Sequence, residues 1–506
     1  MFDILIKNGT IITMDGELSK KRWLAVKDGI IEALGDDDFT GEAQETVDLN
    51  GRALIPGLVD THAHVSGTGI IGGGIPLAGV TTSKGILDVV EEACANAEDP
   101  DCVISGGNML MAEQMDDKRI PDISELDKVS GNHPVLLAFW TGHGGVANSV
   151  TLELANLPEE MQYIKKDGVF LEDAHSFYVM GSTLALRPDS YFEKVYTDLA
   201  NNCASLGMTT VHALDGMFVK DDKDVEVLVK IRDKLPIEFV PYCQSFDLPR
   251  VMGYGVKQIG GCLSVDGSMP QYTCCYDDPY PTMPSTRGLL NFSDRELYEF
   301  VKACTQAEMQ VAFHAIGSRA IDQIIWVYRQ VDMEIGIKHL RHRIEHFSLP
   351  TDEQIAMAAE MNIVCNTQPA IGNMLDGPEG NAYMQWVPPE KAVLCEKFNR
   401  FMAGGVTVTG GSDSPVTPMN SLFGIDAAVN AFKEERRVSL DDAFKLYTIN
   451  AAMASNQDDI KGSLEVGKHA DMVILDQDPY TMDGGFKYPG IGVDATYKKG
   501  KLVYSK

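Results

Sequence analysis

Through the middle of the chain, short apolar runs alternate with longer stretches of helical periodicity, and this alternation constrains the fold most. The runs are Ala53–Val59, Val135–Phe139, Thr209–Ala213, Gly260–Val265, Gln310–Phe313, Arg341–Glu345, Ile363–Asn366 and Thr407–Thr409. Amphipathic spacing marks helices near Tyr191–Leu206, Asp294–Ala307, Arg319–Gln330, Asp352–Met361 and Leu440–Ala454. Ser293 and Thr351 stand at N-cap positions, each followed within three residues by an acid. Strands that alternate with helices pair in parallel, which places the chain in the α/β class. Eight such runs are the number a closed (β/α)8 barrel of the TIM type needs.

The ends of the chain read differently. Between Asp3 and Arg52, short segments such as Ile4–Ile6, Thr10–Ile12 and Leu24–Val26 are separated by Asn8-Gly9, Asp15-Gly16, Asp28-Gly29 and Asn50-Gly51. Such pairs are hairpin turns. Ala470–Leu475, Gly492–Tyr497 and Leu502–Tyr504 repeat the pattern at the other end, with Lys499-Gly500 between. Two β-rich termini suggest one small β-sandwich built from residues 1–52 and 464–506, flanking a barrel over 53–463. The stretch from about 66 to 132 is the least regular and reads as an insertion over the barrel mouth. Its runs Gly72-Gly73-Gly74 and Gly106-Gly107 lack the strand–turn–helix setting of a phosphate loop, so no nucleotide site is assigned.

A net charge of −30 argues against nucleic acid or an anionic membrane as partner, since both need a basic patch. No stretch approaches the ~20 uninterrupted apolar residues of a membrane span. Met1–Gly9 has an early acid and no long apolar segment, unlike a signal peptide. Ten cysteines, sparse and irregular, read as free thiols of a cytoplasmic protein rather than a disulfide framework. A homodimer is the expected assembly.

Chemistry concentrates where the apolar runs stop. Leu54-Ile-Pro-Gly-Leu-Val-Asp-Thr-His-Ala-His64 ends in two histidines two residues apart, so on a strand both project from one face. Neutral imidazole is a common metal ligand. His314 closes the run Val311–Phe313, His346 closes Arg341–Glu345, and Asp413 follows Val408-Thr-Gly-Gly-Ser. In a barrel the C-terminal strand ends surround one pocket, so these five residues converge there. His143 and His212, at or just past other strand ends, are candidates to contact substrate or its carbonyl oxygen. Phe139, Trp140, Phe177, Tyr178 and Met180 near the mouth suit an apolar group. The adjacent pair Cys274-Cys275 has no spacing partner for zinc.

Around these residues the wording resembles the amidohydrolase superfamily, whose first barrel strand carries Pro-Gly-x-x-Asp-x-His-x-His, here Pro56–His64. It is similar in particular to the amidohydrolase-3, or YtcJ-like, branch that includes N-substituted formamide deformylase. The matching phrases are His314-Ala-Ile-Gly317, Arg343-Ile-Glu-His346, Gly411-Ser-Asp-Ser-Pro-Val416, Gly142-His143 with Asn148, Val265-Asp-Gly-Ser268 and Gly462–Asp471. The resemblance implies a metallo-hydrolase barrel holding one or two divalent ions. By analogy, His62, His64 and Asp413 hold one, and His314 and His346 the second. Where that branch has a bridging lysine, this chain has Cys262, and a coordinated thiolate can bridge two metals.

The implied activity is hydrolysis of a C–N bond in a small amide, formamide or cyclic amide. Metal lowers the pKa of water to roughly 7, supplying hydroxide, and polarises the carbonyl. Asp413 takes the proton and passes it to the leaving amine. Mixed imidazole, carboxylate and thiolate ligands favour zinc. A deaminase of a small heterocycle on the same barrel would leave His346 free of metal. A metal-free binding subunit is the alternative outside enzymes, and five intact ligand positions argue against it.

Overall fold

A computed structural model describes every residue except 70–73, 98–101, 141–143, 172–177, 218 and 378–379. Its central strands are β1 (Leu58–Ala63), β2 (Met208–Ala213), β3 (Glu238–Pro241), β4 (Gln258–Ile259), β5 (Gln310–Ala315), β6 (Arg343–His346), β7 (Val364–Thr367) and β8 (Thr407–Gly410). All their pairings are parallel, in the orders β3-β2-β1 and β4-β5-β6-β7-β8. Isolated parallel bridges, Ala63 with Ser414 and Cys243 with Ile259, link the two sheets at both ends.

Strand side chains alternate as a two-residue period demands. Ala63, Val211, Phe239, Ile259, Val311, Ile344, Cys365 and Val408, one from each strand, belong to the main apolar core that the helices cover. The intervening positions carry His62, His212, His314, Arg343 and Glu345, all buried. Ser293 and Thr351 do cap helices Asp294–Gln306 and Asp352–Glu360, each in a reciprocal capping box. The expected helix Leu440–Ala454 is two, Leu440–Leu446 and Ile449–Met453.

Four expectations need correction. Val135–Phe139 is not a central strand. It lies inside a separate five-stranded sheet with Ile75–Pro76, Ile104–Met109, Gly144–Ala147 and Val169–Leu171, so the irregular region extends past Asn132. An apolar run announces burial but not which sheet buries it. Its place in the central set is taken by Glu238–Pro241, too short and proline-ended to stand out. Gly260–Val265 is not a continuous strand, because Gly260 and Gly261 take φ of +93° and +81°. Parallel pairing falls earlier, at Gln258–Ile259, and Ser264 adds one bridge to His314.

The run Ala53–Val59 divides. Ala53–Pro56 pairs antiparallel with Met472–Leu475, and Leu58 starts β1. Gly57 sits at the break, where an added Cβ would lie 2.1 Å from Thr209 Oγ1. Both termini share one eight-stranded sheet whose core includes Ile6, Leu24, Leu54, Met472 and Tyr497. Asp28-Gly29 and Lys499-Gly500 are its hairpin turns, all at positive φ. Asn8-Gly9 is no turn. It lies within strand Phe2–Ile12, where the register shifts between Lys7 and Ile11.

Candidate metal centre

β1 delivers His62, and His64 follows at its end; β5 delivers His314 and β6 His346. Asp413 follows β8, and Cys262 follows the glycine pair after β4. His346 and Asp413 hold φ of 69° and 52°, a left-handed backbone that turns each side chain where a regular strand would not.

These six residues meet. The donor atoms of His62, His64 and Cys262 lie within 4.8 Å of one another, as do those of Cys262, His314 and His346, and those of His62, His346 and Asp413. Asp413 Oδ1 is 3.2 Å from Nε2 of both His62 and His64. Cys262 Sγ is 3.6 Å from His346 Nε2.

Each imidazole is oriented from behind. His62 Nδ1 lies 2.7 Å from Glu345 Oε2, His64 Nδ1 3.0 Å from the Leu214 carbonyl, and His346 Nδ1 2.9 Å from Gln368 Oε1. His314 Nδ1 is 3.5 Å from Asp266 Oδ1, a carboxylate that also accepts the backbone N–H groups of Cys275, Ile316 and Gly317. Acceptors behind Nδ1 keep the proton there, leaving Nε2 lone pairs to face the cluster. His62 Nε2 is buried and makes no hydrogen bond among the described residues, despite its 3.2 Å approach to Asp413. Asp60 ties β1 to the β8 loop by accepting N–H bonds from His62 and Ser412, each 3.0 Å.

The donor set suits a cation. Burial pushes the Asp413 carboxyl up, but His62 and His64 outweigh it and hold the group well below the usual carboxylate range. Burial likewise opposes Cys262 ionisation, yet His314, His346 and His62 draw the thiol well below its ordinary value. Burial depresses His64, and Asp413 and Cys262 overcome this to raise it to about 10. The two anionic donors are thus balanced by protons on the imidazoles around them, the positions a cation would take in exchange for those protons.

The cluster opens to a cavity lined by His314, His346 and Asp413 together with Trp140, Met269 and Leu375. Trp140 was expected at the mouth. Phe139 instead packs in the core of the separate sheet, Met180 is buried in the main core, and Tyr178 is only partly buried against it. Phe177 and His143 lie outside the described residues. His212 is fully buried and does not line this cavity. Its Nδ1 accepts from Arg343 Nη1 at 2.8 Å, and its ring packs on Tyr242. Burial and Arg343 hold it well below its usual value, so it stays neutral. Neither Cys274 nor Cys275 joins a metal-capable group among the described residues. Glu345 and Gln368 had no assigned role. The only signal for Glu345 was its two-residue spacing from Arg343, which puts both on the inward face.

Parallel strands whose ends gather histidines, a carboxylate and a thiol define an α/β protein with a centre whose donor groups could hold a metal ion. The chain belongs to the amidohydrolase family, in its YtcJ-like branch: the family's sequence profile matches residues 45–504. It is 28% identical to Protein LONG AFTER FAR-RED 3 of Arabidopsis thaliana, over 99% of this chain and 91% of that one. It is 26% identical to N-substituted formamide deformylase of Arthrobacter pascens, over 100% and 99%. Its fold is that of a structure from Pyrococcus horikoshii OT3 described as an uncharacterized metal-dependent hydrolase. That match has a TM-score of 0.77 at 23% identity, over 96% of this chain and 100% of the other.

Proposed function

We propose that this chain hydrolyses a C–N bond of a small amide, formamide or cyclic amide with the help of one or two divalent ions, zinc by preference. The observation that carries the reading is the orientation of four imidazoles, each with Nδ1 facing an acceptor, and of these His62, His64 and His346 with Nε2 turned toward Asp413 or Cys262. His62, His64 and Asp413 would hold one ion, His314 and His346 the other, with Cys262 between. Thiolate and imidazole donors favour zinc over magnesium. When bound, the cation supplies Lewis acidity, polarising the scissile carbonyl and acidifying water.

The chain's own residues do the rest. Asp413 lines the cavity and is the carboxylate placed to take a proton from the attacking water and return it to the leaving nitrogen. Glu345, itself clamped by Arg343 through both oxygens, keeps His62 from rotating. His346 shares two of the three donor groups, which favours amide hydrolysis over a deaminase that would leave it free. We further infer that the two parallel sheets are arcs of one (β/α)8 barrel, supported by the bridges at both seams. The common core of the two termini supports a small sandwich beside it. No described helix is long and apolar enough to cross a membrane; a cytoplasmic homodimer acting on a small molecule is the proposed setting.

The test is elemental analysis of the purified protein with a screen of amides, formamides and N-acyl amino acids. Between one and two equivalents of metal, activity lost on chelation and regained with zinc, are expected. Full activity in a metal-free preparation would end the reading.

A further inference from the structure

The cavity beside the metal centre holds one acid that the proposed chemistry does not use. Glu396 is only 4% exposed and lines the same cavity as His314, His346 and Asp413. Its Oε1 accepts a 2.5 Å hydrogen bond from Ser348 Oγ, and its backbone N–H donates to the Ser348 carbonyl at 3.0 Å. Its Oε2 is buried with no hydrogen-bond partner among the described residues. The residue also sits at φ 53°, in the left-handed region. A buried carboxylate oxygen without a partner and a non-glycine residue in that region each cost stability, and such costs cluster at ligand sites.

No charge on the wall compensates Glu396. None of the described residues lining the cavity is Lys or Arg. The nearby Arg436 is itself committed, with Nη1 3.3 Å from Asp376 Oδ2 and Nη2 donating to the Ala392 carbonyl at 3.2 Å. Much of the remaining wall, including Trp140, Met269, Ile371 and Leu375, is apolar. A buried acid with a free oxygen, on a described wall that offers it neither lysine nor arginine, selects a ligand that brings a donor and a positive charge.

We propose that Glu396 is a specificity residue that receives a protonated amine carried by the amide substrate. The substrate class is therefore a small amide bearing a second, basic nitrogen. This rests on the hydrolytic reading above for its chemistry, but not for the binding it asserts. Burial pushes the Glu396 carboxyl up to about 7, with Ser348 and Arg436 opposing, as suits a group that ionises fully only when a cation joins it.

The test pairs N-formyl and N-acetyl derivatives of α,ω-diaminoalkanes of graded length with alkylamine counterparts that end in methyl. Each is assayed on the protein as purified with its metal. The amine member should be preferred in kcat/KM by about 30-fold, the size of one charged hydrogen bond. Glu396→Gln should erase that preference through KM while kcat stays close to native, and Glu396→Asp should keep part of it. A role limited to packing would not move the ratio between paired substrates. Equal use of both members by the native protein, or a preference that survives Glu396→Gln, overturns the inference while leaving hydrolysis standing. If no amide is cleaved, calorimetric titration with the amine member decides. Binding that requires Glu396 upholds the inference and sinks the hydrolytic reading; binding independent of it, or none, overturns the inference. Should Glu396→Gln not fold, the native pairwise preference and Glu396→Asp carry the test.

Discussion

Glu345 Oε2 lies 2.7 Å from His62 Nδ1, and both side chains are completely buried although 283 residues separate them. Burial works against ionisation of Glu345, but Arg343 and His62 overcome it and hold the carboxyl at about 2. A charged carboxylate behind a metal-binding imidazole makes the ring a stronger ligand and fixes its tautomer. Glu345→Gln should weaken metal affinity by about 10–100-fold, measured by competition with a chelator of known affinity. Unchanged affinity would reduce Glu345 to a packing residue.

Asp413→Asn should abolish turnover while the fold persists. The amide keeps the shape but loses the charge and cannot accept a proton from water. A loss of several orders of magnitude in kcat, with an unchanged circular dichroism spectrum, is the expected result. Near-normal kcat would disprove the assigned role.

Cys262→Ser should lower bound metal and relax the preference for soft ions, because a serine hydroxyl does not ionise under these conditions and is a hard donor. Elemental analysis reads the first effect. Cobalt substitution reads the second, through a thiolate-to-metal charge-transfer band present in the native protein and absent in the variant. A serine variant with native metal content and full rate would make Cys262 a core residue.

Far from the site, Glu238 Oε2 is 3.0 Å from Lys461 Nζ and 3.1 Å from Lys498 Nζ, joining β3 to the C-terminal strands. Burial, and then Lys498, push the nearly inaccessible Lys461 down to about 8, against the pull of Glu238. Glu238→Gln should cost about 2 kcal/mol near neutral pH, since it strands a buried ammonium. A lysine whose folded pKa lies below its unfolded value of about 10.4 gives a stability that rises as pH climbs between the two. The deficit should therefore shrink toward pH ~10, where Lys461 is neutral in the folded state. Thermal melts across that range check it, and a pH-independent deficit would refute the assignment.

The residue types of the centre were readable from the sequence because they obey local rules. His62, His64, His314, His346 and Asp413 stand where apolar runs end, and a strand end is a property of a few neighbouring residues. Tertiary structure alone decided which sheet each run joined: Val135–Phe139 and Ala53–Pro56 are as apolar as true central strands but pair elsewhere. It also decided that His212 turns to Arg343 rather than to the cavity, and that Glu345, Gln368 and Asp266 stand behind the imidazoles. Those contacts are set by inter-strand register and by left-handed backbone at His346 and Asp413. Apolar periodicity records burial, and it carries no information about which distant partner a buried polar atom will meet.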